Sequence, residues 1–359
     1  MTSSIISGAG EEPKRAKIVG SVTGKEIEQG KKCVNIPGSE ARTIGRPRDR
    51  MAVLSELRYP TTRPAKIFSG LLAILLFGVV SIGIVSGFLL YQILKPARTA
   101  NNFDLSVMMG HPTVFSFPAE DGVSRDGWFF PGLRGAPTIV VCHGYLSQRS
   151  DVLTLVTALQ EHSYNVYLFD FIGHGSSPGV TTLGYRETAE LRAAVQALST
   201  RDDVDAKHFG LWGVDMGGYA VLEVASTDPR ISAFVVDDPY DDPRQMIQIQ
   251  VKQSGLSALP YVARFADFGF RMLNYSFRNE PPVSTRLGQT RGIPKLFIQS
   301  ADKPATADIM KQIYNRAPDP KLMVSDRTSY LVMPDDDRKN YENQVVNFFL
   351  QYLPPVPRQ

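Results

Sequence analysis

The chain is short of the residues that a catalytic or cross-linked protein leans on. It has two cysteines, Cys33 and Cys142, which excludes a disulfide framework. It has five histidines, His111, His143, His162, His174 and His208, and the last 151 residues contain none. A general base or a metal ligand of the commonest type is therefore missing from the C-terminal two-fifths. No cluster of His, Cys, Asp and Glu at metal-ligand spacing occurs, and no cofactor motif is present. Acidic and basic residues nearly balance, at 36 and 39. The balance is uneven along the chain: residues 1–66 carry thirteen Lys and Arg against seven Asp and Glu, and the remainder is mildly acidic. An acidic globular part argues against nucleic acid as a partner.

What is present falls into segments. Residues 1–66 are rich in Gly, Ser, Pro, Lys and Arg without sustained periodicity, the composition of a disordered basic tail. Ile67 to Leu94 follows without one charged residue. As a helix this stretch measures about 42 Å against about 30 Å of hydrocarbon, so it is expected to cross a bilayer with tilt. It is longer than the apolar core of a signal peptide. Arg48, Arg50, Arg58, Arg63 and Lys66 precede it, and only Lys95 and Arg98 follow closely. The positive-inside rule then puts the tail in the cytoplasm and the globular part outside, on a single-pass anchor in the cell membrane. Residues 95–112 read as a linker, and 354–359 as a C-terminal tail.

Between 113 and 353 the pattern alternates. Thr113–Phe117 and Trp128–Phe130 flank Asp121-Gly122, a hairpin turn signal. Thr138–Cys142, Val166–Phe169, Phe209–Trp212, Ile231–Val236, Lys295–Ile298 and Lys321–Val324 are short apolar runs separated by helical spacings. Fully apolar strands alternating with helices predict a mostly parallel sheet covered on both faces. Residues 209–220 carry the most informative stretch: a strand, then Gly213-Val214-Asp215-Met216-Gly217, then a helix. Glycines on either side of one polar residue, at a strand-to-helix turn, form a nucleophile elbow. The central residue there is usually Ser; here it is Asp215.

These motifs, in this order, resemble the α/β-hydrolase superfamily, nearest its serine-hydrolase branch of peptidase- and esterase-like proteins. The resemblance covers about residues 113–352. It rests on the Asp121-Gly122 hairpin, His143-Gly144-Tyr145, Asp170 to Ser177 (DFIGHGSS), Thr181 to Glu187 (TTLGYRE) and the elbow. It implies an α/β-hydrolase fold, preceded here by one transmembrane helix, with Asp215 at the nucleophile position. It further implies backbone N–H groups of Tyr145 and Met216 as an oxyanion hole, and an acid after a late strand, for which Asp302 stands first and Asp238 second. His143, Gly144 and His174 belong to turns that they are expected to brace. The catalytic His of such a site belongs between the last strand and the last helix, where residues 325–334 have none. The dehalogenase and epoxide-hydrolase branch does use an elbow Asp, but its ester is cleaved by a His-activated water.

Three readings follow from the residues. The first is a membrane-anchored, non-catalytic relative with a degenerate triad that binds a small apolar ligand or a protein partner. The second is an active hydrolase of ester, amide or similar bonds that uses Asp215 in an unorthodox constellation, with Asp302 or a relocated His143 or His174. The third is a purely structural interaction module. The insertion 237–292 reads as a small cap. In it Leu259, Val262, Ala266, Phe270 and Leu273 form one apolar helical stripe, with Tyr261, Phe265, Phe268 and Met272 beside it, and that face suits the domain's own core, a lid over a ligand, or the membrane lipid bilayer.

Overall fold

A computed structural model describes residues 59–98, 111–256 and 259–356. Of the tail expected over 1–66, residues 1–58 lie outside the described residues, as do most of the 95–112 linker and residues 357–359; Arg63 to Lys66, expected to be tail, are instead the first turn of the apolar helix. The chain divides into two units, Met1–Ala65 and Lys66–Gln359, and the globular fold belongs to the second.

Helix α1 (Arg63–Leu94) is the apolar stretch. Its 32 residues are long and apolar enough to cross a membrane, and its most apolar window is not buried in the protein. The last two turns behave differently: Ser86, Leu90, Ile93 and Leu94 are buried.

The globular part is an eight-stranded sheet in the order β1-β2-β4-β3-β5-β6-β7-β8. Strands β1 (Thr113–Pro118) and β2 (Ser124–Phe130) form the hairpin around Gly122, and β2 pairs antiparallel with β4 (Asn165–Phe169). The other strands are β3 (Thr138–Cys142), β5 (Phe209–Val214), β6 (Ile231–Asp237), β7 (Lys295–Ser300) and β8 (Lys321–Asp326), and from β4 onward every pairing is parallel. Strands β3, β4 and β5 are buried along their whole length, which is why they read as unbroken apolar runs rather than alternating ones.

Helices cover both faces. On one, α2 (Leu153–Glu161) and α8 (Asp335–Tyr352) bury Leu155, Leu159, Tyr341, Val345 and Phe349 against the sheet. On the other lie α3 (Tyr185–Leu198), α4 (Met216–Ala225) and α7 (Pro304–Arg316), with α5 (Pro243–Gln253) and α6 (Pro260–Leu273) of the insertion. Leu90, Ile93 and Leu94 of α1 join this second core. This is the α/β-hydrolase architecture. The stripe expected on α6 is shorter than its spacing suggested. Val262, Ala266 and Phe270 are buried, but Leu259 and Leu273, at the helix ends, are exposed among the described residues.

Candidate functional site

The elbow forms as its glycines require. Asp215 ends β5 and opens α4 with φ 49° and ψ −110°, a backbone that L-residues adopt only under strain. Its flanks have no room for side chains: a β-carbon on Gly213 would lie 2.5 Å from the Gly217 carbonyl oxygen, and one on Gly217 would lie 2.5 Å from the Cys142 carbonyl oxygen. The strain and the close approach together lift the Asp215 side chain out of the sheet edge.

The partner that meets it is Lys303, which caps the N-terminus of α7 just beyond β7. Lys303 Nζ donates to Oδ1 and to Oδ2 of Asp215, both at 2.9 Å. The two side chains are 27% and 14% exposed, so the pair is mostly shielded from water. Burial works against the lysine's charge, but Asp215 outweighs it and holds the Lys303 pKa above its ordinary value.

Behind the pair stand two more carboxyl groups. Asp237, at the end of β6, is fully buried and accepts from Tyr341 Oη at 2.9 Å and Ser300 Oγ at 3.4 Å. Trp212 Nε1 donates in turn to Tyr341 Oη at 3.1 Å, which ties the last helix to the middle of the sheet. Asp238, the next residue, has φ 46°. Its Oδ1 accepts from Gln299 Nε2 at 2.7 Å and Ser300 N–H at 3.2 Å, and its Oδ2 is buried without a hydrogen-bond partner among the described residues. Burial, and then the charge of its neighbour, raises Asp237 well above the usual carboxylate range. Burial likewise raises Asp238, to about 6, against the opposing pull of Lys303. Three carboxyl groups thus surround one ammonium, and burial pushes the two behind it toward their neutral forms.

The histidines are elsewhere. His143 Nδ1 meets the Gly144 carbonyl at 2.8 Å, and its Nε2 accepts from the Phe171 N–H at 3.0 Å. Both ring nitrogens are thereby used, in a neutral tautomer that links the turn after β3 to the turn after β4. His174 Nδ1 meets the Ile172 carbonyl at 3.1 Å, and its ring lies edge-on to Tyr145. Burial lowers both histidines' pKa values, His174's to about 3, helped by the adjacent His143. Neither ring hydrogen-bonds Asp215.

The remaining expected positions are close by. A β-carbon on Gly144 would lie 3.1 Å from Asp215 Oδ2, so the His143-Gly144-Tyr145 turn borders the elbow. The backbone N–H groups of Tyr145 and Met216 meet no backbone acceptor among the described residues. Asp302 does not turn toward Asp215: its Oδ2 accepts from Ser329 Oγ at 3.1 Å, and the neighbouring residue, Lys303, makes the contact instead. Sequence reading passed over Lys303. The signal was there in outline, since an elbow carboxylate without any His needs another cation.

Above Asp215 and Lys303 lies a cavity of about 650 Å³. Tyr145, Leu146, Tyr240, Met246, Ile249 and Leu331 supply its apolar walls, and Asp302 and Ser329 its polar rim. The insertion contributes Met246 and Ile249 through α5, and α6 packs against α5. An apolar chamber with a few converging polar groups at its floor suits a small, mainly apolar ligand.

A family model described as the alpha/beta hydrolase fold matches residues 137–286. The uncharacterized protein YfhR of Escherichia coli K12 is 26% identical over 250 residues, covering 67% of this chain and 81% of that protein. The polyketide transferase grgF of a Penicillium species is 30% identical over 130 residues, covering 35% of this chain and 44% of that protein. Among solved structures, an esterase of Pyrococcus furiosus superposes with a TM-score of 0.60 at 20% identity, over 73% of this chain and 99% of that one. At that identity the likeness concerns the fold.

Proposed function

Given that the chain belongs to the α/β-hydrolase superfamily, we propose that it is a membrane-anchored member which binds a small apolar ligand in place of hydrolysing one. The observation that carries this reading is the two-pronged contact of Lys303 with Asp215. An aspartyl nucleophile attacks through a free carboxylate oxygen, and its ester is then cleared by a base-activated water. Here both oxygens are engaged by an ammonium, His143 has both ring nitrogens committed to backbone groups, and His174, whose Nε2 is buried without a hydrogen-bond partner among the described residues, makes no hydrogen bond to Asp215. The anchor is α1, which has the length and composition of a span. The ligand chamber is the cavity over the ion pair, and a protein partner is the other class of occupant for the same mouth.

The test is turnover by the purified full chain on ester, amide, epoxide and haloalkane panels, beside Asp215→Ala. Equal, near-background rates for both proteins are expected. Multiple turnovers by the wild type that vanish in Asp215→Ala overturn the reading and leave an unorthodox hydrolase. Apolar molecules that co-purify with the wild type, identified by mass spectrometry, are expected to be lost when Met246→Glu charges the cavity wall.

A further inference from the structure

Helix α6 has three faces. Val262, Ala266 and Phe270 enter the core. Arg264 and Arg271 are exposed on the opposite side, where Arg271 pairs with Asp267. Between them Tyr261, Phe265, Phe268 and Met272 form an exposed apolar stripe. At 100° per residue these four side chains fall within an arc of roughly 60°. Three aromatic rings and a methionine in one exposed line are more than a scatter of single surface residues.

The stripe adjoins α1. A β-carbon on Gly269 would lie 2.9 Å from Leu90 Cδ2, so the helices touch at that point, and Gly269 borders the stripe. The docking of α1 is specific: Tyr145 Oη donates to the Ile93 carbonyl at 2.9 Å, and the Thr181 N–H donates to the Leu94 carbonyl at 3.0 Å. Residues from Ser86 onward therefore belong in part to the globular domain. The undocked, uncharged part of α1 runs from Ile67 to Val85 and measures about 28 Å, close to the ~30 Å of a hydrocarbon core. That match places the edge of the hydrocarbon near Ser86. Leu90 lies about 6 Å farther along the helix axis, at headgroup depth. Rings that meet the membrane at headgroup depth are typical of interfacial anchoring.

We infer that the Tyr261, Phe265, Phe268 and Met272 stripe of α6 lies in the headgroup layer of the bilayer that α1 crosses, and fixes the domain's tilt on that surface. The inference rests on the membrane-anchor reading. Arg264 and Arg271, on the far side of the stripe, then face water and phosphates.

The test uses the full chain in vesicles of phosphatidylcholine with phosphatidylglycerol. Cys33→Ser removes the tail thiol, and nitroxide labels are placed through Phe268→Cys or, as the polar-side comparison, Arg264→Cys. Collision with dissolved oxygen, enriched in lipid, is measured against collision with a water-soluble nickel chelate. The oxygen-to-nickel ratio at 268 is expected to exceed that at 264 several-fold. Equal ratios in a chain that resists alkaline carbonate extraction overturn the inference and leave the anchor standing. A label at 268 shielded from both reagents also overturns it, since a second copy or another protein then covers the stripe. Release by carbonate removes the anchor reading itself. Phe268 is exposed, so its replacement is expected to leave the melting temperature unchanged.

Discussion

Lys303 and Asp215, 88 positions apart in sequence, share two hydrogen bonds of 2.9 Å at the point where the fold places a nucleophile. Removing one partner leaves the other's charge in a shielded site. Lys303→Met is expected to destabilise the protein by about 2–4 kcal/mol, below the upper range for fully buried pairs because the lysine remains partly exposed. Asp215→Asn in the same protein is expected to recover most of that loss. Denaturant melts of the two single variants and the double variant measure the coupling. Additive losses in the double variant contradict a functioning pair.

Restoring the usual nucleophile alone is not expected to restore chemistry. Asp215→Ser leaves a hydroxyl without a base, and a general base typically contributes about 10²–10⁴-fold. Ser329 already touches Asp302 across the cavity rim, so Ser329→His, with Lys303→Ala to clear space, puts an imidazole beside a carboxylate. Hydrolysis of short aryl esters is expected only in the triple variant. Ordinary esterase rates from Asp215→Ser alone indicate that an unrecognised residue supplies the base.

The carboxyl behind the pair makes stability depend on pH. The Asp238 pKa is raised, to about 6, from an ordinary 3.8. Between those values the folded protein holds more protons than the unfolded one, so stability falls as pH rises through that window, and the full cost applies above it. Asp238→Asn keeps an oxygen for Gln299 and Ser300 while removing the charge. It is expected to stabilise the protein by roughly 1–3 kcal/mol at neutral pH and to have little effect near pH 3.5. Thermal melts across this range give the sign directly.

The buried histidines act in the opposite direction. His174 and His143 have folded-state pKa values below the ordinary 6.5, so their contribution is intact above that value and is lost as pH falls. Protonation of His143 also puts a hydrogen against the Phe171 N–H that its Nε2 accepts. His174→Gln is expected to flatten the acid side of the stability profile, measured as melting temperature from about pH 7 down to about pH 4. An unchanged acid slope assigns that loss to other groups.

Much of the fold was readable because its signals are local. Runs such as Thr138–Cys142, short, rich in β-branched residues and bounded by Gly and Pro, read as strands buried on both faces, and Gly213 and Gly217 announce a turn with no room for a β-carbon. The ion pair was not readable in the same way. Lys303 follows a strand and opens a helix, a place where lysines normally reach into solvent, and only the parallel neighbouring of β5, β6 and β7 carries it over Asp215. Asp302 had the better chemical type for the position and the wrong direction, since it points to Ser329. The docking of α1 was equally hidden, because Leu90, Ile93 and Leu94 are the same residue types as the rest of the apolar stretch. What distinguishes them is the pair of donors that meets their carbonyls, Tyr145 Oη and the Thr181 N–H, both far along the chain from the helix.

Those donors bear on how the protein is handled and how it is processed. Ile93 and Leu94 end α1 with carbonyl groups bonded to the globular domain, and their side chains fill its core. Cutting the chain between α1 and β1 therefore does not liberate a finished soluble domain. It opens a greasy slot and strands the Tyr145 hydroxyl and the Thr181 amide at its edge. A proteolytically shed form would be sticky, short-lived or detergent-hungry, and its behaviour would say little about the intact molecule. The fragment worth preparing begins before Arg63 and keeps its own helix.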